Sequence, residues 1–389
     1  MDIDILLPEQ LKWWCTRLGF PQNAEAALQN MAASVRGDPQ LRSIFGDFYT
    51  KTVQQGAWHR EWSPLPVEPF VQERFTGRSS LFYLLAYLAA LPHTWQRYQS
   101  LGIGEDVFDD TMLDFRFYME DYFDLHGVWG YDHFQWIWRH LDCALFRLGR
   151  LQYMLIPFPG GVTAFRHRAN GRICLLADPA QALRADGCAY GAGKPEGDEM
   201  PAGEDAWYPP FEARTDGWYG HPVAPDGHVL PHAANLLQAE WDLVLQRGDT
   251  VLDLHIPRKE PLNAQTCGAS YARAQEFFRR VFPQRPFKAL YCHTWMFTPQ
   301  LQQFLPPESS LVRFQREFAL YPHSGGPGFL WTFVFGERYP DRAAAPRDTS
   351  LRRAVLDWLD AGGEIFDLPG LMFHAPAAWG TQPYWSTEN

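Results

Sequence analysis

VLDLHIPRKEPLNAQTCGAS, Val251 to Ser270, is the stretch on which the fold turns. It opens with branched, apolar residues suited to a buried strand, and Pro257 ends any ladder the strand could make. Strand side chains alternate, so Leu252, Leu254 and Ile256 share one side and Val251, Asp253 and His255 the other. One side is plain core; the other carries an acid and an imidazole. Farther on, Tyr271, Ala274, Phe278 and Val281 recur at helical spacing behind Thr266, the expected N-cap. The start of such a helix presents amides without intrahelical acceptors. Those of Thr266, Cys267 and Gly268, with Arg258 and Lys259 before them, form a candidate anion site at the carboxyl end of a strand.

Downstream, the spacing predicts a strand in KALYCHTWMF (Lys288 to Phe297), a helix through PPESSLVRFQREFAL, a strand in GFLWTFVFGE, a helix in SLRRAVLDWLDAGG and a last strand in EIFDLPGLMF. Strands and helices in alternation imply a sheet with helices packed on it. Upstream, LGRLQYMLIPFPGG reads as extended, and VTAFRHRANGRICLLADP holds Asn170-Gly171 between two strand-like runs, a hairpin signal. Residues from about 180 to 235 are dense in Gly, Pro and Asp and read as a long irregular excursion, followed by a helix in NLLQAEWDLVLQRG. Before residue 145 the runs are of helical length, among them SSLFYLLAYLAALP, which is apolar nearly all round and predicts a buried helix. The expectation is an α+β protein: a helical domain over residues 1–145 and a mixed-sheet α/β domain over residues 146–389.

The chain of 389 residues is 46% hydrophobic and carries a net charge of −11, enough for two cores and the wrong sign for a phosphate backbone. Nucleic acid is excluded as a partner. Six cysteines without CxxC spacing exclude a disulfide framework and a structural zinc site, and point to a reducing, cytoplasmic setting. The acidic start MDIDILLPEQLKWW is not a signal peptide, and no apolar run is of spanning length, so neither membrane nor secretion is expected. His126, His133 and His140 recur every seven residues, but Gly127 and Gly130 break the stretch, and no metal is expected there.

Three segments, LFRLGRLQY (Leu145 to Tyr153), VLDLHIP (Val251 to Pro257) and ALYCHTWMFTPQLQQFLPPESSLVRFQREF (Ala289 to Phe318), resemble a family of bacterial acyltransferase-domain proteins. These pair a helical N-acyltransferase N-terminal domain with a GNAT-like C-terminal domain, and the likeness runs along nearly the whole chain. The resemblance implies that the quoted strand splays from its neighbour, leaving a gap for acyl-CoA or acetyl-CoA as donor. The carrier's pyrophosphate would lie on the turn and helix after it, and the acyl group would pass to the amine of a small-molecule acceptor without a metal. The segment RKEPLNAQTCGAS lacks the spaced glycines usual at that turn. In this reading His255 is the general base, oriented by Asp253. On the neighbouring strand Tyr291, His293 and Trp295 share one side and Cys292 the other; Cys292 is a candidate acyl-accepting nucleophile and Trp295 a pocket wall or core residue. A cleft between the domains, with the 180–235 excursion over it, would choose the acceptor. The alternative is a non-catalytic small-ligand binding protein on the same fold. Carbohydrate processing would need two facing carboxylates, and no pair can be nominated.

Overall fold

The structure, a computed structural model, describes residues 4–55, 68–192, 203, 205–258, 260–324, 328–336 and 342–373. The chain divides into two compact units, 1–148 and 149–389.

The first unit is helical: α1 (Pro8–Arg17), α2 (Gln22–Gly37), α3 (Pro39–Tyr49), α4 (Pro69–Arg74), α5 (Ser79–Leu88), α6 (Leu91–Ser100), α7 (Glu105–Met112), α8 (Asp114–His126) and α9 (Phe134–Leu141), closed by a short strand β1 (Leu145–Leu148). Proline in the first turn starts α1, α3, α4 and α6, where its missing N–H is not needed. Asp38 caps α3 by accepting from the Gln40 and Leu41 amides. From Leu81 to Leu88 every residue of α5 is buried, and the helix packs on α2 and α3. Its all-round apolar character is thus that of a core helix.

The second unit holds β2 (Leu151–Pro157), β3 (Val162–His167), β4 (Ile173–Ala177), β5 (Phe211–Arg214), β6 (Gly217–Gly220), β7 (Ala234–Leu237), β8 (Trp241–Leu245), β9 (Thr250–His255), α10 (Ala264–Val281), β10 (Leu290–Thr294), α11 (Leu301–Phe304), α12 (Ser310–Gln315), β11 (Ala319–Leu320), α13 (Gly328–Leu330), α14 (Ser350–Asp360) and β12 (Leu368–Met372). Within this unit the main sheet runs β2-β9-β10-β12-β11; β9 and β10 are parallel and the other pairs antiparallel. One face packs on α10, where the Tyr153 and Ser270 hydroxyls meet at 2.9 Å. On the other face Val251, Tyr291 and Leu371 join Phe158, Val162, Leu175 and Leu245 in a core shared with the small sheet β4-β3-β8.

Three local expectations fail, each for a physical reason. NLLQAEWDLVLQRG is no helix but two strands, β7 and β8, which belong to different sheets and are joined by a tight turn. Leu237 accepts the Glu240 N–H to make its turn, and β8 pairs with β3 through a bulge that exposes Leu243 and hides the strand's alternation. The 180–235 excursion holds regular structure among its described residues: β5, β6 and β7 form a meander whose first turn is Thr215-Asp216, with Trp218 packed on Phe165 at 4.8 Å. GFLWTFVFGE contains no strand among its described residues. α13 leads into a π-helical turn, Trp331–Phe335, so that Leu330, Val334 and Phe335 lie in one apolar cluster with Val355 and Leu356.

Candidate active site

β9 and β10 pair over only two positions, Leu252 with Leu290 and Asp253 with Tyr291. Each strand then continues along its other neighbour: His255 still pairs with Gln152 of β2, and Thr294 with Leu368 of β12. Two parallel strands held by different partners thus part beyond Asp253 and Tyr291. His255 and His293 lie on the two strands past that point.

At the parting, the sequence-predicted acid and imidazole stand side by side on β9. His255 Nε2 stands 3.0 Å from Asp253 Oδ2; the histidine side chain is 27% exposed and the aspartate 9%. Neighbouring parallel positions share a face, so Tyr291 lies on the Asp253 side. The Tyr291 and Tyr321 hydroxyls bond each other near Asp253, and burial pushes both phenols up, so they stay protonated. His293 sits edge-on to His323, ring centroids 4.7 Å apart. Burial and the His323 ring bring His293 down to about 4 against the opposing pull of a bond to the Asp367 backbone, leaving a neutral imidazole at ordinary pH. Sequence reasoning gave His293 no role and passed over Tyr321 and His323; their signal was the alternation of YCHTW and the YPH run after β11.

Cys292 does not join this face. It is 1% exposed on the opposite side of β10, and burial holds its thiol well above the ordinary value, so the expected nucleophile is an unreactive core thiol. Trp295 starts a 3₁₀ turn after β10 and packs with Leu301, Leu330 and Val334 as a core residue.

Beyond His255, the turn is built from an unforeseen residue. Arg150, 5% exposed, donates Nη1 to Pro257 O at 2.9 Å, Nη2 to Glu260 O at 2.6 Å and Nε to Pro261 O at 3.2 Å. The expected N-cap at Thr266 is corrected: α10 starts three residues earlier, and Asn263 in extended backbone caps it, its Oδ1 accepting the Thr266 N–H at 2.9 Å. Cys267 N–H is likewise taken, by Asn263 O, and Cys267 and Gly268 are buried in the helix. The first-turn amides left for an anion are therefore those of Ala264 and Gln265, both at exposed positions. Arg258 is exposed beside them in sequence and stacks over Phe333 at 5.2 Å; Lys259 lies outside the described residues.

A cavity of about 110 Å³ lies between the start of α10 and α12, lined by Asn263, Cys267, Ser310, Arg313, Phe314 and Glu317. Glu317, 6% exposed, accepts from Tyr271 Oη at 3.0 Å, and burial lifts its carboxyl to about 7. The Cys267 thiol is pushed up to about 11 by burial. Among the described residues no group of three or more His, Cys, Asp or Glu is placed to hold a metal ion, and no helix is long and apolar enough to cross a membrane.

Parallel strands that open beside the start of the intervening helix, joined in one chain to a helical unit, define a GNAT-like acyltransferase architecture. Residues 145–372 match the GNAT-like C-terminal domain and residues 9–143 the N-acyltransferase N-terminal domain, and the chain belongs to this family. No curated protein matches the chain. Among solved structures it is similar to an acyltransferase in complex with decanoyl-CoA and teicoplanin, at 20% identity and TM-score 0.62 over 94% of this chain and 87% of that one. It is also similar to a mutant acyltransferase in complex with octanoyl-CoA, at 20% identity and TM-score 0.62 over 94% and 88%, and to an acyltransferase in complex with CoA and 10C-teicoplanin, at 20% and 0.61 over 94% and 88%. At this identity the likeness is one of fold.

Proposed function

We propose that this chain is an N-acyltransferase that moves an acyl group from acyl-CoA to the amine of a small-molecule acceptor. The observation that carries the reading is the parting of β9 from β10 after Asp253 and Tyr291, with His255 beside it. The solved neighbours bound to decanoyl-CoA, octanoyl-CoA and teicoplanin support the same donor class and an acceptor of small-molecule kind. Free cysteines fit action in the reducing cytosol.

The residues present fit such a donor. Arg258 and the Ala264 and Gln265 amides would hold its phosphates, in place of the glycine-rich turn this chain lacks, and the opened strands would take its extended arm. When bound, the donor supplies an activated acyl carbonyl with a thiolate leaving group. His255 receives the proton of the acceptor amine as its nitrogen attacks that carbon; the C–N bond forms, the C–S bond breaks, and the thiolate departs to be protonated. Asp253 holds the imidazole of His255 in place. The Cys292 and Cys267 thiols take no part.

Titration calorimetry with acetyl-, octanoyl- and decanoyl-CoA tests the donor assignment: one-to-one saturable binding of at least one is expected, and no heat with any of the three defeats it. Binding without turnover over a panel of amine acceptors would leave the non-catalytic alternative.

A further inference from the structure

At the far end of α10, about 24 Å along its axis from Asn263 by helical rise, lies a second and larger cavity, of about 460 Å³. Its residues come from the last turns of α10, the connection to β10, the end of β12 and one position of β3, all within the second unit. Three features set it apart from a surface crevice.

The first is charge. Arg166, Arg279, Arg285 and Lys288 line the cavity and no carboxylate does, in a chain whose net charge is −11. Lys288 is paired with Asp249 at 2.8 Å, whereas Arg166, Arg279 and Arg285 make no ion pair among the described residues. The second is shape and surface: Phe278, Phe282, Phe287 and Phe373 supply flat apolar walls, with Phe278 and Phe282 stacked at 5.7 Å. The third is Gln275. It lines the same cavity, is 8% exposed, and its buried Oε1 has no hydrogen-bond partner among the described residues. A buried amide oxygen left without a donor is costly in a folded protein, and the side chain that carries it borders the cavity, although the oxygen itself is turned out of reach of solvent.

We propose that this cavity is a binding site, separate from the acyl-transfer site, for a planar aromatic molecule that bears an anionic group and an N–H donor. The ring lies among the phenylalanines, a rotation of the Gln275 amide brings its Oε1 to the N–H, and the phosphate or carboxylate meets the Arg279 and Arg285 guanidinium groups. Two sources share this chemistry, a nucleoside monophosphate and an aromatic amino-carboxylate. The volume lies within the range of small-molecule sites.

Titration calorimetry on the full chain with adenosine 5′-monophosphate and with anthranilate tests the two sources, with adenosine and inorganic phosphate as the separated parts. One of the first two is expected to bind with one-to-one stoichiometry, and the separated parts about tenfold or more weaker. Arg279→Ala with Arg285→Ala should weaken that binding about tenfold or more, and added salt should weaken it further. Gln275→Leu should also weaken it, while leaving the ligand-free protein equally or more resistant to heat, because the unpaired oxygen is gone. Saturating acyl-CoA should leave the binding in place. Absence of saturation by both ligands at about 5 mM, indifference to the double arginine variant, or displacement by acyl-CoA would each overturn the proposal. None of these readouts depends on acyl transfer, so they stand or fall apart from the proposed activity.

Discussion

Asp114 and His140 in the helical unit meet at 2.9 Å, and Asp253 and His255 in the mixed-sheet unit at 3.0 Å, so the two pairs are nearly equal in separation, though only the first is aligned as a hydrogen bond. They differ in access. His140 near the end of α9 is fully buried against Asp114, the first residue of α8, and the pair is enclosed by the packing of its helices. His255 closes a strand whose parallel neighbour has turned aside, and over a quarter of its side chain meets solvent. The same two residue types tie a core together in one place and, in the proposed reaction, serve proton transfer in the other. What separates them is the backbone around each pair.

The sharpest way to break this contrast is His255→Ala. Turnover should fall about 10²- to 10⁴-fold while calorimetric affinity for acyl-CoA stays near its original value and the melting temperature hardly moves. Unchanged turnover would make the second pair structural, like the first. In the helical unit, Asp114→Ala strands His140 in the core and should lower unfolding free energy by about 3–5 kcal/mol in a urea titration, with activity per folded molecule retained.

A third buried acid sharpens the comparison, because Glu317 has a phenol where the others have an imidazole. Its carboxyl is raised to about 7 in the folded chain, above its unfolded value, so ionising it is harder in the folded state. Its contribution is therefore most favourable below the unfolded value, diminishes as pH rises toward about 7, and is level above that. The change should total about 3 kcal/mol, and Glu317→Gln should flatten it in urea titrations run from pH 4.5 to 8. The smallest effect is expected at Asn263, where Ala should lower stability by about 1 kcal/mol and Asp should restore most of the loss, both read from melting curves.

What was legible in the sequence was whatever rests on local pattern. The alternation of VLDLH put Asp253 and His255 on one face, Asn170-Gly171 marked the β3–β4 turn, and Tyr271, Ala274 and Phe278 marked the buried face of α10. What escaped depends on partners distant in the chain. Arg150 was one arginine in LFRLGRLQY until the fold brought it to the carbonyls of Pro257, Glu260 and Pro261, more than a hundred residues away. Strand β8 was hidden because a bulge against β3 erased its two-residue period, and the cap of α10 was misplaced because proline and asparagine beyond Arg258 left several starts open. Glu317 carried no motif; its elevated carboxyl arises wholly from burial.

The hold of Arg150 on the 257–261 segment bears on kinetics as well as shape. A loop whose carbonyls are already tied down loses little freedom when a guest arrives. Rapid-mixing traces for donor association should therefore follow a single exponential whose rate climbs linearly with concentration, whereas Arg150→Ala should introduce a plateau set by the loop's own rearrangement.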